Sequence, residues 1–204
     1  MATATEEICL ICTRCNQNFS VSSSFLASRE IDVCVACFRV EIARRKTTGP
    51  PPIFRPDYID LNIYLGGYRC ATDLNTLVSL NITRIIICGS GLKQCFPEQV
   101  NYLQFEIEDE VDQDLRCHFQ EAYDFISTAK DNVLVHCHAG ISRSATIVLS
   151  YLMRHKSITF AEASEFLATK RKCIRPNSGF VKQLEKYENE ILNSGLQNIA
   201  VIAV

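Results

Sequence analysis

From residue 57 onward the chain alternates short apolar runs with stretches of helical period. Apolar runs at 59–65, 84–88, 102–107 and 133–136 read as strands, the third and fourth being candidates for a buried sheet. Between and after them, apolar residues recur every three or four positions. One such stretch follows Thr72 (Leu74, Leu77, Leu80), and a second follows Asp114 (Leu115, Phe119, Ala122, Ile126, Ala129). A third opens at Arg143 and carries Ala145, Val148, Leu149 and Leu152. Thr159, with Glu162 three residues on, forms a capping box before Phe160, Ala163, Phe166 and Leu167. A last helix carries Phe180, Leu184, Tyr187 and Ile191. Strands alternating with helices predict an α/β domain over residues 57–193, with a central, mainly parallel or mixed sheet flanked by helices.

The first 48 residues have a different texture. They hold five of the eleven cysteines and end in a basic stretch with Arg44, Arg45 and Lys46. Gly49 followed by Pro50, Pro51 and Pro52 predicts a stiff, extended linker over 49–56. Residues 194–204 form a tail, apolar from Ile199, too short to span a bilayer and either docked or disordered.

Length and composition set the frame. A chain of 204 residues, 47% hydrophobic, suffices for one ordinary domain and a small appendage. A net charge of −2 gives no overall pull toward nucleic acid or anionic membrane. No apolar run is long enough for a transmembrane helix, and residues 1–7 lack the charged-then-apolar layout of a signal peptide. The expected setting is intracellular, cytoplasmic or nuclear. Thiols stay reduced there, so the cysteines read as metal ligands or free thiols rather than disulfides.

Cys12-x2-Cys15, then eighteen residues, then Cys34-x2-Cys37 is a spacing suited to tetrahedral zinc, each pair chelating from a tight knuckle. A block of about 45 residues buries too little core to fold alone, and metal ligation would supply the missing stability. Cys9, three residues before Cys12, is the alternative to Cys15. Four thiolates leave no open position, so the predicted zinc is structural. The block resembles a zinc-ribbon or treble-clef knuckle, which implies docking of a protein or nucleic-acid partner. Arg44, Arg45 and Lys46 would assist, although a solvated basic linker explains them equally well.

The chemistry concentrates at residues 136–144, which read His-Cys-His-Ala-Gly-Ile-Ser-Arg-Ser. A strand runs into Cys137, and Arg143 opens a helix five residues later. Backbone N–H groups and a helix N-terminus then converge on one point and stabilise an anion there. The same field favours a thiolate, so Cys137 is expected to ionise below the usual thiol value of about 8.5. Arg143 adds a planar fork of donors matched to two phosphate oxygens. A leaving alkoxide or phenoxide needs a proton, and the acidic run at 106–114 offers several donors. Residue chemistry alone does not separate Asp109 from Asp112.

The Cys-x5-Arg spacing, with His136 before and Ser144 after, resembles the signature of the cysteine-dependent phosphatases. Ile63-Tyr64-Leu65-Gly66 and Arg175-Pro176-Asn177-Ser178-Gly179-Phe180 extend the likeness to the dual-specificity protein phosphatases over about residues 58–187. The resemblance implies that Cys137 is the nucleophile and forms a phosphocysteine. It picks Asp109, six residues before Leu115, as the acid of the first step and the base of the second. Arg143 and the loop residues His138, Ala139, Gly140, Ile141 and Ser142 would hold the phosphoryl oxygens. Ser144 would stabilise the departing thiolate, His136 would orient the loop and tune the thiol, and Asn177 would steady the loop from behind. Cys88 resembles a second cysteine that pairs with the nucleophile under oxidation, a packed core thiol being the plainer account. The chemistry requires no catalytic cofactor.

The implied substrate is a phosphorylated protein, and the chain looks like an atypical member with no second large kinase-docking domain. A loop without lysine disfavours phosphoinositides, and RNA triphosphatases resemble a different loop pattern. Short recognition loops imply a shallow pocket open to phosphoserine and phosphothreonine as well as phosphotyrosine. The alternatives are a phosphatase acting on RNA or phosphoinositides, or a catalytically weak phosphate-binding adaptor. The joint presence of Cys137, Arg143 and Asp109 favours the enzyme.

Overall fold

The computed structural model describes residues 54–194, together with residues 7–11 and 18–22 of the N-terminal block. In that block β1 (Glu7–Ile11) and β2 (Asn18–Ser22) pair antiparallel, with Cys9 opposite Ser20 and Ile11 opposite Asn18. The predicted zinc ligands Cys12, Cys15, Cys34 and Cys37 lie outside the described residues, as does the tail from 195.

The large domain is built on one mixed sheet of β3 (Asp57–Asp60), β4 (Ile63–Gly67), β5 (Ile82–Cys88), β6 (Asn101–Phe105) and β7 (Asn132–Cys137), in the order β3-β4-β7-β5-β6. β3 and β4 form an antiparallel hairpin, and every other pairing is parallel. The single strand expected at 59–65 is therefore two. Leu61 adopts φ 51 at the turn, and the Asp60 carboxylate accepts its N–H at 2.9 Å. That local side-chain bond offers the backbone a turn in place of a continuous strand.

The run expected at 102–107 forms β6, an edge strand in which only Phe105 is buried. Its Asn101 and Gln104 suit an edge. The buried middle belongs to β7 and β5, whose Ile85, Ile86, Ile87, Val133, Leu134 and Val135 are apolar on both faces. Pro56, within the expected linker, is also buried, packed where a Gly66 side chain would otherwise stand.

Side-chain alternation splits the core into two layers. Ile86, Cys88, Val133, Val135 and Cys137 face one side, while Ile85, Ile87 and Leu134 face the other. The second side is covered by α1 (Tyr68–Ala71) and α2 (Leu74–Ser79), with Phe96 and Val100. Asp73 caps α2, accepting the Asn75 N–H at 3.0 Å. The first side carries α3 (Phe119–Ser127), α4 (Arg143–Lys156), α5 (Phe160–Lys170) and α6 (Ser178–Ser194). A 3-10 turn, Arg116–His118, leads into α3. The expected capping box opens α5, with Thr159 and Glu162 exchanging hydrogen bonds at 2.8 and 3.2 Å.

α4 is the central helix, buried from Ser144 to Met153 and packed between the sheet and the helices α3, α5 and α6. It follows directly from the carboxyl end of β7. In α/β sheets the crevice at the carboxyl ends of parallel strands is where ligands bind. The fold thus places residues 137–143 at such a crevice, on its most buried strand and helix.

Candidate active site

The loop between β7 and α4 wraps round the sulfur of Cys137, which is 2% exposed. Its amides point inward because its carbonyls are held outward. His138 O accepts the Tyr68 N–H at 3.0 Å, and Ile141 O accepts the Arg175 N–H at 2.8 Å. Between them Arg171 donates from Nη2 to Ala139 O at 3.1 Å and from Nε to Gly140 O at 2.8 Å. Its Nη1 is in turn fixed by Asp57 at 2.6 Å. Gly140 has φ +71, and a Cβ there would run into the Gly66 carbonyl. Only glycine fits both the left-handed backbone and the close approach. The result is a nest of N–H groups, a fixed partial positive charge.

Two of the donors reach the sulfur itself. The Gly140 N–H and the Ser144 hydroxyl each lie 3.2 Å from Cys137 Sγ. Burial acts first and pushes the thiol up, but the Ser144 hydroxyl and the amides of Ser144, Gly140 and Ile141 outweigh it. The Cys137 pKa therefore falls below that of an ordinary cysteine. Cys88 shows the opposite balance: full burial and the neighbouring Cys137 drive its pKa well above the usual value, and Arg143 offsets this only in part. Burial lowers His136 to about 4, so the ring is neutral near pH 7. It has one hydrogen bond, with Nδ1 3.2 Å from Cys137 O, while Nε2 is buried without a partner. His136 is scaffold beneath the loop.

Arg143 reaches across to the loops after β5 and β6. Its Nη1 donates to Ile107 O at 3.2 Å and packs against Gly89, where a Cβ would come within 2.8 Å. Its Nε is buried, has no hydrogen-bond partner, and lies 3.6 Å from Asp109 Oδ2.

The structure separates the two carboxylates that the sequence left together. Asp109 Oδ1 accepts the Ser142 hydroxyl at 2.6 Å and the Asn177 amide at 3.0 Å, which brings it to the mouth of the loop. Asp112 is exposed and, among the described residues, makes no hydrogen bond or ion pair. Asn177 grips from the acid's side rather than from behind. Its N–H donates to Ser142 Oγ at 3.1 Å, its Nδ2 also reaches Glu110 O at 3.3 Å, and its Oδ1 accepts the Phe180 N–H at 3.0 Å. Gly179 lets the acid loop lie on the start of α6, because any Cβ there would occupy the place of the Val111 carbonyl.

The brace from behind is Arg171, which sequence reasoning missed. The only signal was a basic residue between α5 and Pro176, and such residues are usually solvated. Among the described residues no group of three or more His, Cys, Asp or Glu side chains is placed to hold a metal. Among them, too, no helix is long and apolar enough to cross a membrane.

Comparison with known proteins agrees with this geometry. The family described as dual specificity phosphatase, catalytic domain, matches residues 63–190, so the chain belongs to the dual specificity phosphatases. Dual specificity protein phosphatase 1 of Arabidopsis thaliana is 38% identical over 139 residues, covering 67% of this chain and 70% of that protein. Human dual specificity protein phosphatase 5 is 38% identical over 135 residues, covering 65% of this chain but only 35% of that protein. Among solved structures, the human tyrosine phosphatase-like serine/threonine/tyrosine-interacting protein superposes with TM-score 0.66 at 33% identity, covering 68% of this chain and 98% of that one. A mouse putative dual specificity phosphatase complexed with zinc tungstate gives TM-score 0.69 at 26% identity, covering 74% and 98%.

Removing the Ser144 hydroxyl should shift the ionisation of Cys137 upward. A hydrogen bond to a charged group contributes about 1.5–3 kcal/mol, so Ser144→Ala should alkylate with iodoacetamide roughly tenfold more slowly near pH 6. The gap should close as pH rises and both thiols ionise. Identical pH profiles for the two proteins would show that Ser144 does not hold the thiolate.

Proposed function

We propose that this chain is a protein phosphatase that hydrolyses phosphotyrosine and phosphoserine or phosphothreonine through a phosphocysteine intermediate. The observation that carries the reading is the donor set at Cys137. Its sulfur receives the Ser144 hydroxyl and the Gly140 amide, beside a buried Arg143 Nε–H that makes no hydrogen bond and lies 3.6 Å from Asp109 Oδ2. Such a cluster suits a phosphoryl group bearing two negative charges.

In the first step the thiolate attacks phosphorus, the S–P bond forms, and the P–O bond to the leaving oxygen breaks. Asp109, protonated, gives its proton to that oxygen. In the second step Asp109 takes a proton from water, which attacks phosphorus and releases inorganic phosphate. The sulfur leaves as a thiolate, received by the Ser144 hydroxyl. Arg143 and the inward amides hold the equatorial oxygens in both transition states. Asp109 sits where both roles need it, through Ser142 and Asn177.

The loop residues His138, Ala139, Gly140, Ile141 and Ser142 include no lysine that would favour a polyphosphorylated inositol. The presence of all three reacting groups favours catalysis over a phosphate-binding adaptor. Turnover of phosphopeptides, phosphoinositides and 5′-phosphorylated RNA should be compared between the wild type and Cys137→Ser. The expected result is phosphopeptide hydrolysis that falls by roughly 10⁴-fold or more in the variant, with a phosphorylated Cys137 trapped on acid quench of the wild type. Equal residual rates in both proteins would refute the mechanism.

The N-terminal block is proposed to hold one structural zinc on Cys12, Cys15, Cys34 and Cys37, and to dock a protein or nucleic-acid partner in an intracellular setting. The spacing supports this, as does the β1–β2 pairing, since Cys12 and Cys15 fall in the six residues that join those strands. Elemental analysis of the reduced full-length chain should find about one zinc per molecule, less in Cys12→Ser. A metal-free chain that remains folded would contradict the assignment.

Cys88 is proposed as the redox partner of Cys137. Ile87 lies opposite His136 in the parallel β5–β7 pair, so the next residues, Cys88 and Cys137, are neighbours on one face. Hydrogen peroxide would oxidise the Cys137 thiolate to a sulfenic acid, and the Cys88 thiol would displace water from it to give a disulfide. Peptide mapping after mild peroxide should find the cross-link. Sulfinic Cys137 alone, with Cys88 untouched, would count against it.

A further inference from the structure

We propose that a groove running from the phosphate loop onto the first turns of α6 binds the residues flanking the phosphorylated one, and that Arg175 and Lys182 select an acidic or phosphorylated side chain there. The inference rests on the phosphatase reading above and names the class of phosphoprotein it favours.

The groove has a volume of about 820 Å³. Ligand pockets generally span about 300–1,000 Å³, so this one has far more room than a single phosphoryl group needs. It adjoins the phosphate loop, because Asp109, Ile141 and Ser142 are among its lining. Arg175, Val181, Lys182 and Glu185 line it further out.

The cations in and around it differ in what holds them. Arg143 and Arg171 are engaged by Ile107, Asp109, Asp57 and the loop carbonyls. Arg175 and Lys182 are exposed, and among the described residues neither side chain has a carboxylate partner. Both are nevertheless anchored close to the chemistry. The Arg175 backbone N–H holds Ile141 O, and Lys182 follows Val181, whose N–H bonds to Asn177 O. Two cations so placed at the start of a 17-residue helix add to the positive end of its dipole.

The remaining lining limits where an anion fits. Asp109 is held by Ser142 and Asn177 beside Arg143, so its carboxyl is directed to those groups rather than to Arg175 or Lys182. Glu185 lies three residues beyond Lys182, on the same helical face, and its carboxylate repels an anion placed further out. The preference is therefore confined to residues near the target phosphate. Ile141, 36% exposed, offers an apolar rest for the intervening peptide.

The test uses one phosphotyrosyl peptide series that differs only in the flanking residues, carrying aspartate, phosphoserine, alanine or lysine. kcat/KM would be measured for the wild type, and Kd for full-length Cys137→Ser, whose binding does not depend on turnover. A small aryl phosphate serves as the reference for catalysis alone. Acidic and doubly phosphorylated peptides should exceed the alanine peptide by about tenfold at low salt and by much less at high salt, since exposed charges are screened. Arg175→Ala with Lys182→Ala should erase the ratio, and Arg175→Glu with Lys182→Glu should turn it in favour of lysine. Ratios within twofold in both readouts, or ratios unmoved by the double substitution, would overturn the proposal. Loss of aryl phosphate turnover by the wild type would instead strike the phosphatase reading, and the Kd ratios would still decide this one.

Discussion

Four outward hydrogen bonds decide what the phosphate loop can do. A loop of five residues carries as many carbonyls as amides, and only one set can face the centre. Were the carbonyls of residues 138–141 turned inward, their partial negative charge would oppose both a thiolate and a phosphate. Donors from Tyr68, Arg171 and Arg175 hold them away. The cost of orienting the dipoles is thus met during folding, which is what makes electrostatic stabilisation effective at the moment of reaction. The Asp57–Arg171 pair gives the β3–β4 hairpin a role in this. The strand at that edge gives Ile59 to the core, and its Asp57 fixes the guanidinium that holds the loop.

A second coupling runs through Asn177. Its side-chain oxygen satisfies one of the free N–H groups at the start of α6, while its amide nitrogen holds Asp109. The order of α6 and the position of the acid are therefore one property of the fold. Cys137 is anchored separately, by β7 and α4, so a disturbance at Asn177 would reach Asp109 and Ser142 before the sulfur. Gly179 works on the same side, giving the acid loop room to settle on the helix.

The parts of the site that could be read in the sequence are the contiguous ones. Residues 136–144 carry strand, loop and helix start within one short stretch, and the Thr159 capping box is likewise local. What escaped depends on distant partners. Arg171 meets Asp57 across 114 positions, and no local pattern marks either residue. Asp109 and Asp112 differ only in that Ser142 and Asn177 reach the first. The fold class followed from the alternation of strands and helices, yet the place of each strand within the sheet did not. Periodicity reports burial of a segment and says nothing of its neighbours, so β6 read as part of a buried sheet and the Leu61 turn read as continuous strand.

The groups beneath the sulfur are as telling as those around it. His136 is neutral because burial takes it to about 4, and Cys88 stays protonated because burial and the adjacent sulfur drive it up. These two groups beneath the sulfur therefore carry no charge, and the cation set beside the loop and Asp109 is Arg143. On the proposed reading, discrimination between substrates arises where the lining is exposed and charged, on the rim from Ser142 along α6.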